Sequence, residues 1–217
     1  MKRRTLPVAA VFAATAALML TACGSGDEKP KANNTIAGVD QSEKESPTPS
    51  ATPSGTSDRP KIELPPDDKL VFIPEKTGNA VKDAILADNA ERMRATDAAI
   101  AGTDPKYVAL NFYNSGRALE AASNWVEEFK AAGLTITGTV RYSDRRVTLN
   151  KDGTASLTYC ADESKGFNKN LKTGKIDVIP PNKDSYVSYS TKLEKNSDGV
   201  WQTTRIISKR GAAQCQP

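Results

Sequence analysis

The chain of 217 residues divides by its pattern of apolar and polar positions into four stretches. Residues 6–20 form one alanine-rich apolar run, interrupted by Pro7. Residues 24–69 contain too few apolar side chains for any period to emerge. From residue 78 to residue 101 Leu86, Ala90, Met93 and Ile100 recur at helical spacing, with Asp83, Asp88, Glu91, Arg92 and Arg94 read as the polar face. Gly102-Thr103-Asp104-Pro105 ends this helix and opens another, with Asp104 as N-cap and Pro105 at the first helical position. The second helical region runs to Ala132 with Val108, Phe112, Leu119, Ala122, Val126 and Phe129 as its stripe; Gly116 divides it and Gly133 caps it.

The period then changes from 3.6 to 2. Ile136, Val140 and Tyr142 alternate with polar residues, and the phase slips across Ser143-Asp144 so that Val147 and Leu149 continue. A slip of one residue predicts a bulge. Asn150-Lys151-Asp152-Gly153 is a hairpin turn leading to Ala155, Leu157 and Tyr159 on one face. A polar, lysine-rich loop follows over residues 165–183, then a strand through Val187, Tyr189 and Leu193. Asn196-Ser197-Asp198-Gly199 is a second hairpin turn, and a last strand spans residues 200–207. Helices followed by consecutive antiparallel strands predict an α+β domain over residues 70–217, with a bent antiparallel sheet of about four to five strands.

Composition changes the picture at the N-terminus. Met1-Lys2-Arg3-Arg4 precedes the apolar run, which is too short for a spanning helix and suits a signal peptide over residues 1–22. The run closes in Leu20-Thr21-Ala22-Cys23, then Gly24-Ser25-Gly26. This resembles the lipobox of bacterial lipoproteins. The resemblance implies cleavage before Cys23, a diacylglyceryl group on its thiol, and a membrane anchor at the extracytoplasmic face. Residues 23–69 are rich in Ser, Thr and Pro, as in Ser46-Pro47-Thr48-Pro49. They read as a disordered tether that reaches about 35–40 Å.

Charge and residue usage exclude several functions. Net charge is +4, with 30 basic and 26 acidic side chains, and three of the basic ones are Lys2, Arg3 and Arg4 of the signal segment. The mature chain is thus nearly neutral, against a nucleic-acid partner. There is no histidine, which removes Ser-His nucleophile pairs and histidine metal sites. No nucleotide loop, zinc spacing or calcium loop is present, so neither cofactor nor metal is expected.

The order of elements, the strand ending Tyr159-Cys160-Ala161-Asp162, the final strand opening Asp198-Gly199-Val200-Trp201, and Cys215 near the terminus resemble a group of Gram-positive lipoproteins. These carry a nuclear-transport-factor-2-like, cystatin-related cone domain. The resemblance implies helices packed on the sheet and a cavity at the cone's mouth. With Cys23 acylated, Cys160 and Cys215 are the two thiols left in an oxidising compartment, and they read as a disulfide worth about 4 kcal/mol. Tyr113, Trp125, Tyr142, Tyr159, Asp162, Tyr189 and Trp201 are the candidate pocket residues; packing in the core is the simpler role for the aromatic ones. Carboxylates are the only candidate bases. An isomerase of this fold family pairs a pocket carboxylate with a tyrosine, which would cast Asp162, beside Glu163, with Tyr159 or Tyr189. No catalytic constellation stands out. The sequence reads as a non-enzymatic binding or interaction domain, with a protein or cell-wall partner in an envelope process. The alternative is a small-ligand binder or weak enzyme using the cone cavity. An open cavity holding an unpaired carboxylate would favour that alternative.

Overall fold

The structure, a computed structural model, describes residues 59–217. The signal segment, Cys23 and the tether up to residue 58 lie outside the described residues. Strand β1 (Asp68–Phe72) is followed by helices α1 (Ala80–Ala101), α2 (Val108–Tyr113) and α3 (Gly116–Ala132). The remaining strands are β2 (Leu134–Leu149), β3 (Ala155–Asn170), β4 (Ile176–Asp177), β5 (Tyr186–Lys195) and β6 (Trp201–Arg210). They form one sheet in the order β1-β2-β3-β5-β6, with β4 paired to β3. The domain is α+β, three helices over a bent sheet.

The helix boundaries follow local chemistry. Asn79 caps α1 by accepting the Lys82 N–H at 3.0 Å, and Gly102 closes it. The expected cap at Asp104 is displaced in one respect. Helix α2 begins at Val108, after Tyr107 in a left-handed conformation, yet the Asp104 carboxylate still accepts the N–H groups of Val108, Ala109 and Leu110 at 2.8–3.2 Å. It satisfies three donors that the helix itself leaves open. Gly116 starts α3 as a separate helix.

Helix α1 departs from the amphipathic reading. It is buried on both sides, against the sheet and against α2 and α3, so Asp88, Asn89 and Arg92 are all buried. Asp88 holds Arg59 by an ion pair and accepts the Trp201 backbone N–H at 2.8 Å. Residues 59–69, read from composition as the end of the tether, pack on the domain. Ile62 joins the cluster of Ala95, Ala109, Tyr113 and Val200, and Glu63 accepts the Thr103 hydroxyl at 2.7 Å.

Two corrections concern the sheet. It is mixed, because β1 pairs parallel to β2 (Phe72 beside Tyr142), the three helices making the crossover that a parallel pair requires. Strand β3 also runs on to Asn170, so Lys165 and Lys169 lie in a strand opposite β2 and outside any loop. The phase slip at Ser143-Asp144 is a bulge between Ser143 and Arg146, with Asp144 at φ 52°. It turns Arg145 inward, where its guanidinium donates to the Leu86 carbonyl at 2.6 Å and the Pro74 carbonyl at 3.1 Å.

The bend of the sheet has its own residues. Gly138 of β2 faces Gly166 of β3, and the register shifts between Thr139 and Arg141. Gly138 has φ 98°, and a Cβ there would lie 2.1 Å from the Lys165 carbonyl oxygen. Only glycine allows the two strands so close at this point. Cys160 and Cys215 form the disulfide, with Cα atoms 5.4 Å apart, tying the C-terminal turn to β3.

Candidate functional site

Alternation along the strands places one aromatic ring per strand on the inner face. Phe72 stacks on Tyr142 at 5.1 Å, Tyr142 meets Tyr159 edge to face at 6.0 Å, and Tyr159 stacks on Tyr189 at 4.9 Å. This row crosses β1, β2, β3 and β5. The last pair sits directly opposite in the ladder, where side chains on one face meet.

Above the row the helices do not close onto the sheet. A cavity of about 800 Å³ opens between them, within the range that takes a small molecule. Tyr142, Tyr159 and Tyr189 floor it; Arg92, Met93 and Asp97 of α1 and Trp125 and Phe129 of α3 form one wall. Glu163 and Phe167 of β3 line the other wall, and Asp177, Ile179 and Asp184 stand at the mouth. Trp125 is 45% exposed.

Asp97 is the chemically distinctive group. It is half-buried on α1 and lines the cavity. Burial raises its carboxyl well above the ordinary range; the nearby Asp68 adds to this, Arg92 opposes it, and Glu163 adds a little more. No hydrogen bond from a described residue stabilises its charged form. Its carboxyl therefore holds a proton more tightly than an ordinary aspartate does. Burial likewise raises the phenols of Tyr142 and Tyr189, so both remain protonated donors. Arg92 donates to the Tyr159 hydroxyl and to Asn114 Oδ1, each at 3.4 Å. Glu163 is held by Arg210 at 2.7 Å.

Of the seven pocket candidates named from sequence, Trp125, Tyr142, Tyr159 and Tyr189 lie on the cavity. The other three do not. Tyr113 is buried in a separate cluster, its hydroxyl 3.5 Å from Arg59. Trp201 belongs to the core beneath α1, with Phe72, Leu157 and Leu193. Asp162 lies an odd number of residues from Tyr159 and so points to the other face, where it accepts the Ser164 N–H at 2.9 Å. The carboxylates that line the cavity are instead Asp97, Glu128, Glu163, Asp177 and Asp184. Asp97 and Arg92 were missed because a helical Asp and Arg read as a solvated face; their one signal is the alanine-rich sequence around them, which lets neighbouring elements approach closely.

No family model matches the chain, and no curated protein matches it. Solved structures with similar chain paths include the intermembrane space region of chloroplast protein ARC6, at 20% identity, TM-score 0.40, covering 59% of this chain and 97% of that one. Aln2 from a Streptomyces species is similar at 18% identity, TM-score 0.41, covering 62% and 94%. A ketosteroid isomerase-like protein from Erwinia carotovora atroseptica is similar at 16% identity, TM-score 0.40, covering 61% and 97%. At these levels the functional reading rests on this chain's own residues.

Proposed function

We propose that this chain is an exported lipoprotein whose cone domain binds a small, mostly apolar ligand in the cavity between helices and sheet. The observation that carries the reading is the open cavity of about 800 Å³ with Asp97 unpaired inside it. A cone filled by its own side chains would have left only outer surfaces for recognition. Here the aromatic floor supplies apolar area, and Asp97, Tyr142 and Tyr189 supply the few convergent polar groups that orient a ligand. The lipobox at Cys23 supports attachment to the outer face of the membrane, and the Cys160–Cys215 bridge fits an oxidising compartment. The tether would then hold a ligand-binding domain at some distance from the lipid surface.

The test uses the neutral dye Nile red with the mature chain, residues 23–217, carrying Cys23→Ser, which has neither the signal segment nor the lipid. The expected result is a saturable blue shift in dye emission that disappears in Ala122→Phe, since Ala122 lines the cavity. Circular dichroism would check that the filled variant keeps its fold. Unshifted emission with the Ala122-containing protein would overturn the reading.

A further inference from the structure

We infer that the cavity is built for a small organic cation, a quaternary or protonated amine carried on an apolar body. The inference rests on the reading of the cavity as a ligand site and names the ligand's chemistry. Two observations carry it. The first is the balance of charge. Asp97, Glu128, Glu163, Asp177 and Asp184 line the cavity or its mouth, against Arg92 and Arg210 as the only bases among the described lining residues. Both arginines are committed: Arg92 to Asn114 and Tyr159, and Arg210 to Glu163 and the Asp184 carbonyl. Asp97, the most desolvated of these carboxylates, has no ion-pair or hydrogen-bond partner among the described residues.

The second observation is the floor. Half-buried Tyr142 and Tyr189, and Trp125 of α3, which is 45% exposed, line the cavity, while Tyr159 is buried between its two neighbours. Aromatic faces attract cations through the ring quadrupole, and weakly hydrated quaternary ammonium groups lose little on leaving water. An anion would meet the acidic groups that line the cavity. A neutral molecule would leave Asp97 without a partner and the acidic mouth without a role.

A cation entering the cavity draws Asp97 into its ionised form and releases a proton. Binding should therefore strengthen as pH rises. The groups facing Asp97 are Asp68 from β1, Arg92 from α1, Tyr142 from β2 and Glu163 from β3. Tyr159 from β3, Tyr189 from β5, Arg210 from β6, Glu128 from α3, and Asp177 and Asp184 complete the charged and titratable lining. Tyr142 and Tyr189 stay neutral throughout.

The experiment follows Trp125 fluorescence in the same mature chain carrying Cys23→Ser, titrated with three probes of matched shape. Phenyltrimethylammonium is the cation, tert-butylbenzene its neutral counterpart, and benzenesulfonate the anion. The expected result is about ten-fold tighter binding of the cation than of the neutral probe. Its affinity should rise as pH rises above the ordinary carboxylate range. Asp97→Asn should weaken the cation about ten-fold, flatten its pH profile and leave tert-butylbenzene unaffected. Should that variant fold poorly, the pH profile of the unaltered cavity decides. Equal or tighter binding of tert-butylbenzene or benzenesulfonate overturns the inference while the cavity reading stands. Binding of none of the three overturns both.

Discussion

At the scale of single residues, the acidic groups under α1 set the domain's pH response. Asp68 is buried on β1, and its carboxyl is pushed up to about 6 by burial, with Asp67 beside it adding to the effect. A raised carboxyl means that the folded chain holds this proton more tightly than the unfolded chain does. Stability is then full below the unfolded value near 3.8 and falls as pH rises through about 6. Asp68→Asn should raise stability at neutral pH by about 2–3 kcal/mol and change little near pH 4, about where the unfolded carboxyl titrates. Urea unfolding at the two pH values checks this; an equal effect at both would contradict it. The residues concerned also show where sequence reading stops. Tyr159 and Asp162 could be assigned to opposite faces from alternation alone, because Ala155, Leu157 and Tyr159 fix the phase. Asp97 could not be assigned to a cavity, because a helix surrounded on both sides by other elements has no polar face to read.

Elements were legible where local chemistry decides them. Capping residues bounded the helices, the two Asx-Gly turns marked the hairpins, and the lost phase near Ser143 located the bulge. What stayed hidden depended on partners distant in sequence. The parallel pairing of β1, set by a five-residue strand, and the run of β3 to Asn170 needed β2 in place. The bend is another such feature, since Gly138 and Gly166 acquire their meaning only when opposed. Gly138→Ala would place a methyl group against the Lys165 carbonyl and strain a left-handed conformation. We expect a loss of roughly 3 kcal/mol or more, measured by thermal or urea unfolding. A variant as stable as the parent would show that the strands can separate here without cost, and that the bend is not tied to this pair.

For the whole molecule, we propose a lipid anchor at Cys23 and a tether ahead of the α+β domain. The anchor is the simplest part to test. With Cys23→Ala the thiol that would take the diacylglyceryl group is gone, so the protein should leave the membrane fraction or persist uncut. Metabolic labelling with a fatty acid should mark the parent and not the variant; label on Cys23→Ala would contradict lipidation at this residue. The same α+β layers that were predicted from periodicity enclose a space that periodicity could not reveal, because a ring that fills a core and a ring that lines a cavity occupy the same strand phase. Tyr142 and Tyr189 do the second, Trp201, equally in phase, does the first, and Tyr159 does both.

The central claim is that this space is a binding site, and backbone amide NMR of the Cys23→Ser chain tests it most directly. On titration with phenyltrimethylammonium the account predicts saturable shifts gathered on α1 near Asp97, on α3 near Trp125 and on the strands bearing Tyr142, Tyr159 and Tyr189. Shifts confined to the outer face around Cys160 and Cys215, or no saturable shifts at all, would contradict it.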